Sequence, residues 1–380
     1  MEDENNLRLQ LGESRRWVIK IGTALSTNEG VGLNHAAIKR WSRQIVSLMS
    51  SGHQIILVTS GSVAEGANRL GWEKRPHSLP QLQAAAAVGQ MGLVRGWDLA
   101  FEESGLQAAQ ILLTHDDLSD RTRYLNARST LSTLLELGVI PVINENDTVA
   151  TAELNLGDND TLAGLVSNLV EADLMVILTD QAGIMTADPR LQSDTKLISY
   201  AAVDDPELDS RAGAGGVWGR GGMRTKLRAA RLAARSATST IIADGRDEDA
   251  LSDMSKGLPV GTLLYSKREK IAARKQWLAG SLRVSGILVL DKGACSALVR
   301  QGKSLLGVGV IEVRGQFDRG DLVQIFDAED GEIGRGLVNY SSTECAKIMG
   351  VSSSKIEDIL GFAHEPEWIH RDNLLVESGA

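Results

Sequence analysis

The first two-thirds of the chain alternates between short apolar runs and segments whose apolar residues recur at helical spacing. The runs are nearly continuous in apolar residues, which is typical of strands covered on both faces. Six strands are predicted: Trp17–Ile21, Gln54–Thr59, Leu106–Leu113, Val139–Ile143, Leu174–Leu178 and Thr240–Ala243. Helical patterns follow a candidate N-cap at Asn34 and cover residues 79–103 and 121–137. This alternation predicts an α/β fold, a three-layer αβα sandwich with a mainly parallel sheet, over residues 16–265.

The pattern changes at both ends of this region. Residues 1–15 are acidic and polar, and they are predicted to form a disordered N-terminal arm. Residues 266–282 are rich in Lys and Arg, and we predict a linker that is helical in part. Residues 283–362 carry short strand-like runs between turn residues, which predicts a small β-barrel-like domain. The remaining residues, 363–380, are predicted to be a C-terminal tail.

Composition narrows the classes of function. The net charge of −9 argues against a general nucleic-acid binder, because such proteins grip phosphates with clustered cations. Only Cys295 and Cys345 are present, without CxxC spacing, so we expect neither a disulfide framework nor a thiolate metal site. No apolar run approaches the roughly 18–20 residues that span a bilayer, and a cytoplasmic protein is expected.

Polar residues follow several of the predicted strands, where parallel sheets bind ligands. Lys20 lies inside the first run, and a lysine in a strand covered on both faces needs an anion. The alternative is an edge-strand lysine that faces water. Ser60 and Gly61 follow the second run and lead into a helix, where exposed N–H groups suit a carboxylate or a phosphate.

Two dense polar clusters, 144–147 and 157–160, flank the fourth run and a following helical pattern. Helix capping explains one aspartate there, but it does not explain both clusters. Thr179 and Asp180 end the fifth run, where they form either a hydrogen-bonding edge for a nucleotide or an ordinary turn.

The most specific local feature is a glycine-rich loop, residues 215–226, that leads into a helix. Its backbone N–H groups can form a nest for phosphates, and Arg220, Arg224 and Lys226 add positive charge. It is not a Walker A loop, because the G-x-x-x-x-G-K-[ST] pattern is missing.

No general base is evident among the candidate residues, and this favours an acceptor that is already ionised. Phosphoryl transfer to a carboxylate requires alignment and charge neutralisation only, for which two lysines and a Mg²⁺ suffice. One cation about 4 Å from the developing charge contributes roughly 4 kcal/mol at an effective dielectric of 20.

These motifs, in this order, resemble glutamate 5-kinases, which are members of the amino-acid kinase superfamily fused to a PUA domain. The resemblance covers nearly the whole chain after the N-terminal arm. It rests on the segments Lys20–Thr23, Val58–Gly61, Leu125–Arg128, Pro141–Asp147, Gly157–Asp160, Leu178–Asp180 and Gly221–Lys226.

The resemblance implies roles for individual residues. Lys20 and Lys226 would stabilise the transferring phosphoryl group, and Asp160 would organise both lysines, with the separate roles of Asp158 and Asp160 left open. Ser60, Asp147 and Asn159 would hold glutamate. The residues that would hold ATP are Lys20, Thr179, Asp180, Arg220, Gly221, Gly222, Met223, Arg224, Thr225 and Lys226. Mg²⁺ would be carried chiefly by ATP, without a dedicated metal site in the protein.

The resemblance also implies glutamyl 5-phosphate as the product, the first step of proline biosynthesis, with inhibition by proline and a homo-oligomer. Arg220 departs from the family, whose loop often has threonine there. A sibling kinase acting on acetylglutamate, aspartate, carbamate or a nucleoside monophosphate is the nearest alternative.

RNA binding by the PUA domain is the alternative from another class. Residues 280–361 contain nine Lys and Arg against eleven Asp and Glu, which disfavours RNA as a partner.

Overall fold

The computed structural model describes residues 2–28, 30–149, 159–187, 194–211, 222–267 and 284–376. The chain forms two compact units. The first comprises Met1–Ser119 and Asn126–Glu269, and the second comprises Asp120–Leu125 and Lys270–Ala380. Within the described residues, no helix is both long and apolar enough to cross a membrane.

The first part of the chain, up to residue 265, alternates strands and helices. Its strands are β1 (Arg16–Ile21), β2 (Thr27–Asn28), β3 (Val31–Leu33), β4 (Gln54–Val58), β5 (Ala108–Leu113), β6 (Ile140–Glu145), β7 (Leu174–Thr179), β8 (Tyr200–Ala202), β9 (Ser239–Asp244) and β10 (Thr262–Tyr265). Its helices are α1 (Glu2–Gly12), α2 (Thr23–Ser26), α3 (His35–Ser50), α4 (Ser62–Arg69), α5 (Leu79–Glu102), α6 (His115–Ser119), α7 (Arg121–Glu136), α8 (Asn159–Leu169), α9 (Glu207–Arg211), α10 (Met223–Ala233) and α11 (Ala250–Ser255), with a 3₁₀ turn at Ala234–Ser236.

Eight of these strands form one sheet in the order β5-β6-β4-β1-β7-β9-β10-β8. The six predicted strands are all present and run parallel, which confirms the mainly parallel sheet. β10 runs antiparallel to β9 and parallel to β8. The sequence did not reveal β8 and β10, because strands of three and four residues carry too little periodicity.

The central strand β1 has two different faces because successive side chains of a strand point to opposite sides. Trp17, Ile19 and Ile21 belong to the main hydrophobic cluster, which also contains Trp41 of α3. Lys20 occupies an alternate position, and its Nζ contacts Asp160 of α8. Lys20 is therefore held in the middle of the sheet, away from its edges.

The prediction of a disordered arm over residues 1–15 is wrong, because α1 is a helix that packs on the first unit. Leu7 and Leu11 pack against the main hydrophobic cluster. Arg8 is buried, with its Nε 3.0 Å from Glu4 Oε1 and its Nη2 2.7 Å from the carbonyl oxygen of Ser199. Acidic, polar composition suggested disorder, whereas the partners that hold this helix lie almost two hundred residues away.

The second unit contains a five-stranded sheet in the order β12-β11-β13-β14-β15. Its strands are β11 (Val284–Leu290), β12 (Val310–Gly315), β13 (Leu322–Asp327), β14 (Glu332–Leu337) and β15 (Leu374–Val376). Its helices are α12 (Lys292–Gln301), α13 (Ser342–Ile348) and α14 (Ile356–Leu360), with 3₁₀ turns at Gly307–Gly309, Ser353–Lys355 and Arg371–Asn373. A separate hydrophobic cluster that includes Leu288, Ile325 and Trp368 forms its core.

The predicted C-terminal tail is also wrong as far as residue 376. Trp368 and Ile369 are fully buried in the core of the second unit, and β15 pairs antiparallel with β14. The three-residue strand β15 ends the sheet and the buried Trp368 belongs to the core, although neither leaves a periodic signal in the sequence. Most of the predicted linker, residues 268–282, lies outside the described residues.

Candidate active site

Two lysines converge on one carboxylate at the carboxyl end of the parallel strands. Lys20 of β1 pairs with Oδ1 of Asp160, and Lys226 Nζ of α10 lies 3.2 Å from Oδ2. All three residues are at least 94% buried. Two ammonium groups thus meet at one buried carboxylate, an arrangement that is suited to the negative charge of a phosphate group.

The lysines also determine the ionisation of Asp160. Burial alone would raise the pKa of this carboxyl, but the charges of Lys20 and Lys226 and hydrogen bonds from Lys20 and Thr225 lower it below its ordinary value. Asp160 therefore stays ionised at neutral pH. It can hold both lysines, but it cannot act as a general base near pH 7.

Thr225 adds a further contact to this carboxylate. It is the third residue of α10, and its Oγ1 lies 2.8 Å from Asp160 Oδ2 and also 2.8 Å from the carbonyl oxygen of Gly222. A hydroxyl has one proton, and donation to the charged carboxylate is the stronger of the two bonds. Thr225 was assigned to ATP by resemblance; the structure places its hydroxyl on Asp160.

Asn159, the first residue of α8, joins the ends of two strands. Its Oδ1 accepts a hydrogen bond from the N–H of Glu145 at 3.3 Å. Its Nδ2 lies 2.9 Å from the carbonyl oxygen of Thr59, 3.2 Å from Ser60 Oγ and 3.0 Å from Asn144 Oδ1. The structure therefore brings the predicted residues Ser60 and Asn159 together.

Asp147 is a buried carboxylate of a different character. Burial raises its pKa to about 6, although the hydrogen bond from Ser62 and the charge of Arg75 oppose the shift. Its Oδ2 accepts from Ser62 Oγ at 3.0 Å, whereas its buried Oδ1 has no hydrogen-bond partner among the described residues. This oxygen is available for a donor from outside the protein.

Thr179 and Asp180 lie at the end of β7, next to β1. Thr179 Oγ1 lies 3.2 Å from Asp180 Oδ1. The loop after β9 supports this edge, because Gly245 N–H donates to the carbonyl of Thr179 at 2.9 Å and Arg246 Nη2 donates to that of Asp180 at 2.8 Å. The proposed nucleotide edge is thus tied to the neighbouring strand.

The remaining predicted residues belong to the glycine-rich loop. Gly222 is the N-cap of α10, and Met223 and Arg224 are its first residues, with Arg224 exposed. Asp158, Arg220 and Gly221 lie outside the described residues, so their predicted roles stay predictions.

Sequence reasoning missed four contributors to this region. Asn144 lies in the polar cluster 144–147, and Ser62 directly follows the turn that ends at Gly61, yet neither was given a role. Arg246 follows the predicted strand Thr240–Ala243 by three residues, which is a signal that could have found it. Gln90, whose Oε1 accepts from Asn144 Nδ2 at 2.8 Å, lies within α5, and no local pattern distinguishes it.

Comparison with known proteins identifies the family of the chain. The model of the amino acid kinase family matches residues 15–244, and the PUA domain model matches residues 286–360. The chain belongs to the amino acid kinase family.

Three similar relatives, each named glutamate 5-kinase, place the chain among the glutamate 5-kinases of that family. The relative from Thioalkalivibrio sulfidiphilus is 57% identical over 97% of this chain and 99% of its own length. That from Hahella chejuensis is 55% identical over 98% of this chain and 97% of its own. That from Pseudomonas syringae pv. tomato is 58% identical over 97% of this chain and 100% of its own. Membership in the family therefore extends over both units.

Proposed function

We propose that the protein transfers the γ-phosphoryl group of ATP to the side-chain carboxylate of glutamate, giving glutamyl 5-phosphate and ADP in the first step of proline biosynthesis. The observation that carries the proposal is the buried cluster of Lys20, Lys226 and Asp160. Its two ammonium groups suit a transferring phosphoryl group, and the sequence identity to glutamate 5-kinases extends over both units.

The proposed reaction requires no proton transfer. An oxygen of the ionised side-chain carboxylate forms a bond to the γ-phosphorus while the bond from that phosphorus to the β–γ bridging oxygen breaks. The electron pair leaves with ADP. Lys20 and Lys226 neutralise charge on the transferring group, and Asp160 keeps both ammonium groups in position for it.

On the acceptor side, we assign glutamate to the residues at the ends of β4 and β6. The unpartnered Oδ1 of Asp147 suits the substrate ammonium group. Ser60 and Asn159 contact one another, and Asn159 directly precedes Asp160 of the lysine cluster. The substrate side chain would then extend toward the lysines.

On the nucleotide side, we assign ATP to Thr179, Asp180 and the start of α10. Mg²⁺ is proposed to accompany ATP, because both oxygens of Asp160 already face cations and hard divalent ions favour phosphate oxygens. When bound, the metal would neutralise phosphate charge. Within the described residues, no group of three His, Cys, Asp or Glu side chains is placed to hold a metal ion.

Proline inhibition, homo-oligomer formation and a cytoplasmic location are further proposals that rest on the resemblance to the family. Cys295 and Cys345 are both free thiols, which supports a reducing compartment. A proline titration of the activity and light scattering of the purified chain test the first two.

The direct test is ADP release with ATP, Mg²⁺ and a panel of acceptors: glutamate, acetylglutamate, aspartate, carbamate and UMP. Trapping with hydroxylamine identifies an acyl phosphate product. Turnover with glutamate and a glutamyl hydroxamate product would support the proposal, whereas turnover with another acceptor alone would move the chain's function to a sibling kinase.

A regulatory or structural role, and not RNA binding, is proposed for the PUA domain. Its excess of acidic over basic residues supports this assignment. Titration of the full chain with a structured RNA tests it, and salt-sensitive submicromolar binding would contradict it.

A further inference from the structure

A chain of three side-chain amides runs from α8 to α5, and the backbone determines its direction. Asn159 Oδ1 accepts from the N–H of Glu145, and Asn159 Nδ2 donates to the carbonyl oxygen of Thr59. A main-chain N–H can only donate and a main-chain carbonyl can only accept. The oxygen and nitrogen of the Asn159 amide are therefore assigned without ambiguity.

The assignment of the Asn159 amide also determines the orientation of the next two side-chain amides. Asn159 Nδ2 donates to Asn144 Oδ1 at 3.0 Å, so Asn144 must present its Nδ2 on the other side. Asn144 Nδ2 donates to Gln90 Oε1 at 2.8 Å. Gln90 Nε2 is consequently left as a donor, and it is buried without a hydrogen-bond partner among the described residues.

The position of Gln90 relates it to Asp147. The preceding residue, Gly89, lies so close to α4 that an added Cβ would meet the carbonyl oxygen of Ser62 at 1.9 Å. Ser62 in turn donates its hydroxyl proton to Asp147. Gln90 also bonds to Asn144, three residues before Asp147, so both groups without a partner lie near the end of β6.

Asp147 Oδ1 and Gln90 Nε2 together match the α-ammonium and α-carboxylate groups of an amino acid. An unpartnered carboxylate oxygen suits an ammonium group, and an unpartnered amide N–H suits a carboxylate. The lysine cluster would take the side-chain carboxylate of glutamate, so the α-carboxylate must be bound elsewhere, beside the ammonium group.

We propose that Gln90 is a specificity-determining residue whose Nε2 donates a hydrogen bond to the α-carboxylate of the amino-acid substrate. This inference rests on the proposed function, in which Asp147 binds the substrate ammonium group. The amide chain through Asn144 orients the Gln90 side chain and links α-carboxylate recognition to Asn159, next to Asp160.

Gln90→Glu is the most informative substitution. It keeps an oxygen that accepts from Asn144 and preserves the size of the side chain, but it replaces the donor with a charged acceptor. At pH 8 the Kd for glutamate, measured by calorimetry, should rise on the order of 100-fold because two carboxylates would face each other. The KM for ATP should stay within about twofold of the wild-type value.

Substrate analogues separate recognition from general damage. Isoglutamine carries an α-carboxamide, which can donate to Glu at position 90, whereas 4-aminobutanoate has no α-carboxyl group. Gln90→Glu should shift the ratio of kcat/KM values for isoglutamine and glutamate toward isoglutamine, and it should also shift the ratio for 4-aminobutanoate and glutamate toward 4-aminobutanoate. These ratios do not depend on the fraction of the variant that is folded.

The matched control is Gln81→Glu, because Gln81 lies on the same helix, is exposed and accepts a hydrogen bond from Ser78. It should change neither the Kd for glutamate nor the ratio. If the wild-type protein phosphorylates glutamate but Gln90→Glu retains its Kd and its ratio, this inference is overturned while the proposed function stands. If the wild type does not use glutamate at all, the proposed function fails first.

Discussion

The hydroxyl of Thr225 lies 2.8 Å from Oδ2 of Asp160, the same oxygen that faces Lys226. The three residues come from two helices, since Asp160 is the second residue of α8 and the other two lie in the first turns of α10. The start of α10 therefore supplies both the ammonium group that we propose acts on the phosphoryl group and a hydrogen bond that holds the carboxylate. Thr225 is in this sense a positioning residue.

Thr225→Val tests that role, because valine has the same shape and no hydroxyl. Loss of the bond lets Asp160 move with its lysines, and we expect kcat to fall about 10- to 100-fold with a smaller change in the KM for ATP. Thr225→Ser should restore most of the activity. A rise in the KM for ATP at unchanged kcat would instead favour the role in ATP binding that the resemblance implies.

Lys226→Ala removes one of the two buried ammonium groups. We expect kcat to fall about 10²- to 10³-fold with a nearly unchanged KM for glutamate, by analogy with the loss of one transition-state donor. Steady-state kinetics with both substrates measure this effect. Arg228→Ala is a suitable control, because Arg228 is an exposed cation on the same helix. Equal activities of the two variants would mean that Lys226 does not act on the phosphoryl group.

Asp147 should make glutamate affinity depend on pH. Burial raises its pKa to about 6, and only the ionised carboxylate attracts an ammonium group. The KM for glutamate should therefore rise as the pH falls below about 6, although the substrate side chain, with a pKa of about 4.3, remains ionised. Asp147→Asn should have a high KM for glutamate without this pH dependence. Unchanged glutamate affinity in that variant would exclude the assigned role.

The same carboxyl should make the free protein less stable at neutral pH. Its pKa is raised on folding from 3.8 to about 6, so the folded state binds more protons between these values. The free energy of unfolding therefore falls as the pH rises from about 4 to about 6. Above pH 6, Asp147→Asn should be more stable than the wild type by about 1–3 kcal/mol, as measured by urea unfolding without substrate. No gain in stability at pH 7 would contradict the raised pKa.

Arg8 should contribute to stability and not to catalysis. Its side chain pairs with Glu4 and donates to the carbonyl oxygens of Ser199 and Val260. Arg8→Ala leaves the buried Glu4 carboxylate without its charged partner and two carbonyl oxygens without the arginine donor, so the free energy of unfolding should fall by about 3–5 kcal/mol.

Chemical denaturation measures that loss, and Arg43→Ala, which removes an exposed arginine, is the control. The Arg8→Ala variant should keep its KM values at temperatures where it is folded. A midpoint of unfolding equal to that of Arg43→Ala would show that the Arg8 side chain adds nothing to the stability of the fold.

By itself, the sequence determined the order of the six parallel strands along the chain and the places where polar residues follow them. Near-continuous apolar runs report burial on both faces, and the N-cap at Asn34, whose Oδ1 accepts from the N–H of Ala37 at 3.1 Å, is a local interaction. Local patterns of this kind survive without knowledge of the fold. Local composition does not report distant partners, and for this reason α1 was predicted to be a disordered arm and β15 to be a tail.

Only the tertiary structure decided which of these residues meet. Lys20 and Asp160 are 140 positions apart, and their contact depends on the register of β1 and on how α8 packs against it. Gln90 carries no signal in its helix, and its role is suggested only by its hydrogen bond with Asn144 of β6. Strand and helix periodicity specifies which face of an element is buried, but the partners across that face depend on how the elements pack in three dimensions.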